Sequence, residues 1–144
     1  MYNLEIFKRE DMLFTRATEY ALLSLIIIAK KDEPIGTDIL SKQLDIPRSF
    51  LAKILQNLAK DGLLKSFKGA TGGFILSKPP NKISIKEVAK SAERKEITVF
   101  ECSSSQECCP SNKGDFCTIW PFLNRLQNKI DNFLENLTLQ DLME

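Results

Sequence analysis

A chain of 144 residues, 43% hydrophobic and 27% charged, carries enough apolar mass for one folded unit with its own core and too little for two full domains. That balance excludes global disorder. The formal net charge of +1 excludes a bulk attraction to nucleic acid, so any DNA contact must come from locally placed basic groups.

Residues 1–11 carry mixed charge with little periodicity and read as an N-terminal extension. From Thr15 to Lys31 the positions Ala17, Tyr20, Ala21, Leu23, Leu25 and Ile28 predict a largely buried helix, with Thr15 placed to cap it. A second helix is predicted from Gly36 or Thr37 through Leu44. Ile46-Pro47 makes the turn that follows, because a residue before proline is driven out of the helical region. Arg48 or Ser49 opens a third helix, with Phe50, Leu51, Ile54, Leu55 and Leu58 on one apolar face and Asp61-Gly62 at its end. Its outer face carries Ser49, Lys53, Gln56, Asn57 and Lys60.

Beyond Gly62 the texture changes. Leu63 to Phe67 alternates as a strand, Lys68 to Gly73 is a glycine-rich turn, and Phe74 to Leu76 returns. Ser84 and Glu87 offer a capping box for a short helix to about Glu93. A loop follows, rich in serine and cysteine. From Ile119 the apolar positions Trp120, Leu123, Leu126, Ile130, Phe133, Leu134 and Leu137 recur at helical spacing, and Pro121 suits the first turn.

Two helices joined by a proline turn, then a hairpin with a basic glycine-containing tip, are the layout of a winged helix-turn-helix. In such a unit the second helix enters the major groove. Arg48, Ser49, Lys53, Gln56 and Asn57 are then the candidates for bases and phosphates, and Lys68 and Gly69 at the wing tip approach the minor groove or its phosphates. A solvated polar helix face is the competing reading, and the order of the elements favours DNA. No Gly-Lys-Ser/Thr follows the glycine turn, so a nucleotide loop finds no support.

Cys102, Cys108, Cys109 and Cys117 fall within sixteen residues, and the chain has no histidine. Its longest apolar run, Ala21 to Ala29, is too short to cross a bilayer, and the opening residues lack a secretory signal core. Together these predict a cytoplasmic protein without a membrane partner, in which clustered thiols serve metal binding or redox chemistry. Nucleophilic catalysis lacks a histidine base, so neither an enzyme nor a small-molecule substrate is expected. A structural zinc, a metal-free thiol switch and two disulfides remain alternatives.

The segments MLFTRATEYALLSL, IPRSFLAKILQNLAKDGLL and KGATGGFILSKPPNKISIKEVAKSAE, with Cys-x-x-Trp at Cys117 to Trp120, together resemble the Rrf-type winged-helix transcriptional regulators, a group that includes the iron–sulfur regulators IscR and NsrR. The resemblance runs from Met12 to about Leu137. It implies a mainly α fold with a small β-hairpin wing: a winged helix-turn-helix over 12–80, a short helix and cysteine loop over 81–118, and a dimerisation helix with a tail over 119–144. It also implies a homodimeric repressor of a double-stranded DNA operator, paired through Trp120, Leu123, Leu126, Ile130, Phe133, Leu134 and Leu137; core packing is the competing reading of that stripe.

The resemblance further implies a [2Fe–2S] or [4Fe–4S] cluster on three loop cysteines, chemistry to which soft thiolates are suited. Cys102 and Cys117 match as the outer ligands and Cys108 as the middle one, with Cys109 as the alternative. The histidine that one branch of the family places after the third cysteine is absent. The carboxylate used by the other branch, from the partner subunit, matches Glu19. The gap to Cys117 is longer than the family's shortest, which leaves the cluster type open.

Overall fold

The computed structural model describes residues 13–108 and 117–144, so the extension expected over 1–11, Met12 and Cys109 lie outside the described residues. Helix α1 (Arg16–Ala29) begins at Thr15, whose hydroxyl accepts the Ala17 N–H at 3.2 Å. Ala21, Leu25 and Ile28 recur at i, i+4 and i+7 and turn inward. Leu23, expected on the buried face, lies across the helix from them and is exposed.

Helix α2 (Thr37–Leu44) ends on Asp45, which takes a left-handed conformation with φ 54°. The Ser41 hydroxyl donates to the Ile46 carbonyl at 2.5 Å and closes the turn. Helix α3 (Arg48–Lys60) then buries Leu51, Ile54, Leu55 and Leu58. Phe50, predicted on that face, sits at its edge: it is exposed and meets the Tyr20 ring edge-on, with centroids 5.6 Å apart.

Strands β1 (Leu64–Phe67) and β2 (Gly73–Leu76) pair antiparallel with Leu64 opposite Leu76 and Phe67 opposite Gly73. Ile35, in the link between α1 and α2, adds a third edge: its N–H donates to Phe74 O at 3.1 Å and its carbonyl accepts the Phe74 N–H at 2.9 Å. That approach depends on Gly73. Its φ is +147°, and a Cβ there would lie 2.3 Å from the Ile35 carbonyl carbon.

Helix α4 (Ile85–Glu93) has the expected capping box of Ser84 and Glu87. Helix α5 (Trp120–Asn136) carries Pro121 in its first turn. Past it the chain does more than the sequence reading anticipated for a tail. Thr138 and Asp141 form a second capping box that opens α6 (Leu139–Met143). The Ile85 N–H donates to Leu137 O at 2.8 Å and the Leu139 N–H to Ile83 O at 2.9 Å, seating Leu139 fully buried in the core.

Two apolar clusters result among the described residues. The larger joins α1, α2, α3, the hairpin, α4 and α6 through residues such as Leu25, Leu40, Leu55, Leu63, Val88 and Leu139. The smaller gathers Ile85, Ala89, Ile97 and Leu134, with Ile130 and Leu137 packed against them. Among the described residues no helix is long and apolar enough to cross a membrane.

Candidate DNA-reading face and cysteine turn

Because α3 commits Leu51, Ile54, Leu55 and Leu58 to the core, its opposite side turns to solvent. Arg48, Ser49, Lys53 and Gln56 are exposed there and Asn57 is half-buried. The wing tip is exposed from Lys68 to Thr71, with Gly69 at φ +104° making the bend. A groove between the wing, the start of α2 and Arg48 is lined by Gly36, Thr37, Asp38, Ile39 and Gly69 to Gly73. Arg48 differs from the other candidates in one respect: its guanidinium is already paired with Asp38 on α2. Among the described residues neither Lys53 nor Lys68 has a carboxylate partner.

The turn bearing Cys102 is built differently. Cys102 and Ser103 are buried, yet they belong to no helix or strand, so their backbone groups need partners from elsewhere. Helix α5 supplies them from one face. The Trp120 Nε1–H donates to Cys102 O at 2.8 Å, and Asn124 Nδ2 donates to Ser103 O at 2.9 Å. Gln127, itself buried, accepts the Val99 N–H at 2.8 Å and donates to Ile97 O at 2.8 Å and Asp131 Oδ1 at 3.1 Å. The Ser103 hydroxyl lies 2.8 Å from both Gln127 Oε1 and Phe100 O, and its single proton serves one of them at a time. None of these contacts was predicted from the sequence. The sequence marks Trp120 for its place after Cys117 and at the head of the apolar stripe, and the i, i+4, i+7 spacing of Trp120, Asn124 and Gln127 is the signal that marks them as one row.

The other candidate ligands are spread out. Cys108 ends a short 3₁₀ turn that starts at Gln106, and Cys117 is half-buried just before α5. Glu19 is exposed in the first turn of α1, 3.6 Å from Arg16. Among the described residues no three groups of metal-binding type are gathered at one point. The donors fit an iron–sulfur centre in kind, being soft thiols on a turn whose first member is withdrawn from water.

A carboxylate with no role in the sequence analysis joins α4 to the start of α1. Glu93, at the end of α4, accepts from the Thr15 N–H at 2.8 Å, from the Thr15 hydroxyl at 2.8 Å and from the buried Thr18 hydroxyl at 2.6 Å. Burial alone would raise its pKa. The hydrogen bonds from Thr18 and Thr15, with the charge of Lys95 nearby, outweigh burial and hold the carboxyl below its ordinary range.

The stripe on α5 divides. Leu134 is buried within its own chain, and Ile130 and Leu137 are partly buried beside it. Trp120, Leu123 and Leu126 are half-buried, whereas Phe133 is 65% exposed, as are Ile119 at 60% and Phe122 at 62%.

Comparison with known proteins agrees with this architecture. The Rrf2 family profile, described as an iron-dependent transcriptional regulator, matches residues 14–144. A protein of Aquifex aeolicus named as an HTH-type transcriptional regulator is 31% identical over 140 residues, covering 92% of each chain. The regulator IscR of Pectobacterium atrosepticum is 28% identical over 134 residues, covering 92% of this chain and 79% of its own. Among solved structures, that of CymR, the global cysteine regulator of B. subtilis, superposes with a TM-score of 0.67 at 23% identity, over 90% of this chain and 94% of its own. With the hairpin wing, the outward polar face of α3 and a family match spanning nearly every described residue, this chain belongs to the Rrf2 family of transcriptional regulators.

Proposed function

We propose that the chain works as a cytoplasmic homodimeric repressor that reads a double-stranded DNA operator, and that an iron–sulfur cluster sets its affinity for that operator. The ligands are Cys102, Cys108 and Cys117, with Glu19 of the partner subunit as the fourth and Cys109 as the alternative to Cys108. When bound, the cluster supplies a centre whose charge and ligation respond to oxidants, nitric oxide or iron supply.

The observation that carries this reading is the attachment of Cys102 to the first turn of α5 by Trp120. The same helix leaves Ile119, Phe122 and Phe133 exposed, an apolar face suited to a second copy of the chain. A change at the thiols therefore acts on the helix that sets the spacing of two reading heads, and spacing decides how well a two-fold dimer fits two half-sites. On α3, Ser49, Lys53, Gln56 and Asn57 read the groove, while Lys68 and Gly69 hold the flanking backbone.

A second reading, a thiol switch without metal or with a structural zinc, is favoured by the partial exposure of Cys117, a thiol within reach of small reagents. Anaerobic purification followed by iron, acid-labile sulfide and zinc counts separates the readings. A coloured protein whose colour disappears in Cys117→Ser while the dimer persists supports the cluster. Colourless protein after reconstitution with iron and sulfide removes it. In parallel, Lys53→Ala and Lys68→Ala should weaken operator binding and shallow its salt dependence by about one counterion each, with iron content unchanged.

A further inference from the structure

We infer that Trp120, Asn124 and Gln127 form a positioning row that fixes the Cys102 turn on α5 before any ligand arrives, with Gln127 as its central member. The amide of Gln127 is directional. Its oxygen faces the Val99 N–H, a donor that cannot reverse, and its nitrogen faces the Ile97 carbonyl, an acceptor that cannot reverse. Backbone polarity thus sets the orientation of the side chain, and the side chain in turn pins the backbone on both sides of residue 98. Trp120 and Asn124 fix the next two carbonyls, of Cys102 and Ser103.

Buried polar groups gain most when every member of a network is satisfied, and a single loss leaves partners orphaned in a dry environment. Removing the Gln127 amide orphans the Val99 N–H and the Ile97 carbonyl and leaves the Ser103 hydroxyl with Phe100 O alone. The row also extends outward. Gln127 donates to Asp131, which lies 3.6 Å from the Lys86 ammonium on α4, and that ammonium bonds Glu135 at 2.8 Å. Displacement of the Cys102 turn therefore pulls on α5 and, through it, on α4. The inference deepens the cluster reading, on which its regulatory meaning rests, but the physical claim concerns the metal-free chain.

The test is thiol modification of the full-length, metal-free protein by iodoacetamide, with Cys102 and Cys117 quantified separately by peptide mass spectrometry. In wild type the buried Cys102 should react far more slowly than Cys117. In Gln127→Met, which keeps the bulk and removes the amide, the ratio of Cys102 to Cys117 labelling should rise by about tenfold, the scale set by one lost buried hydrogen-bond partner. Trp120→Phe, which keeps an aromatic side chain and removes the N–H, should raise it by a smaller factor, and Ser103→Ala by less again. Far-UV circular dichroism reports whether each variant is folded. A ratio within about twofold of wild type in folded Gln127→Met overturns the inference. If that variant does not fold, the same outcome in both Trp120→Phe and Ser103→Ala overturns it. Because no metal is present, the result stands or falls apart from the iron and sulfide counts.

Discussion

The reading head and the cysteine turn are held by opposite kinds of force. In the head, Leu25, Leu51, Leu55 and Leu58 are fully buried against one another, and the polar groups of α3 are left to solvent. In the turn, Ile97 joins an apolar cluster, and the backbone around it is held by side chains reaching across from α5. The first arrangement resists small perturbations, because many non-directional contacts share the load. The second depends on a few directional bonds, each of which can be removed singly. The two regions should therefore differ in what a single substitution costs, many shared apolar contacts on one side and a few separable hydrogen bonds on the other.

Three substitutions sharpen or break this contrast. The largest effect is expected from Leu55→Ala, which empties a fully buried position and should lower unfolding free energy by about 2–5 kcal/mol, measured by urea denaturation. If its cost were no greater than that of removing one polar contact, the head would not be apolar in origin. Gly73→Ala comes next. With φ at +147° and the Ile35 backbone in the way, it should cost about 1–3 kcal/mol and release β2 from Ile35. Affinity for duplex DNA should fall with it, as read by fluorescence anisotropy.

The smallest effect belongs to Glu93→Gln, on the polar side of the comparison, at about 1 kcal/mol at neutral pH. Its signature is in the pH dependence. A carboxyl held below its ordinary value contributes stability that is fully present above the unfolded-state pKa and is lost as pH falls through the lowered folded-state value. Wild type should therefore lose its advantage over the variant on acidification, and the two denaturation curves should converge. Glu87, also held low, is common to both proteins and cancels in the difference. Curves that stay parallel would show that the Thr15 and Thr18 contacts carry no linkage.

The contrast also explains what could be read from the sequence. The helices of the head announce themselves by period: Leu51, Ile54, Leu55 and Leu58 leave only one face for the core, so the outward position of Lys53 and Gln56 follows. The hairpin is legible from its glycines, although not the need for Gly73 to admit Ile35, which is distant in sequence. The capping box at Ser84 is legible from Glu87 three residues on, while the equivalent pair Thr138 and Asp141 is not, because no apolar run of helical length follows it. On α5 the periodicity was real, but it did not distinguish Leu134, which faces the chain's own Ile85 and Ala89, from Phe133, which faces outward. The polar row was the least legible. Amides and an indole at i, i+4 and i+7 look like an ordinary wet helix face until the segment from Ile97 to Ser103 is laid across them.

The return of the chain at Leu139 has an architectural consequence. Its side chain closes the same apolar interior that α1 opens, and backbone bonds on either side of Ser84 fasten it there. First and last helices thus share a keystone, and the long α5 is clamped at its far end as well as at Trp120. With both extremities of α5 fastened to the protomer, any displacement at one end must be taken up as strain in the bonds at the other.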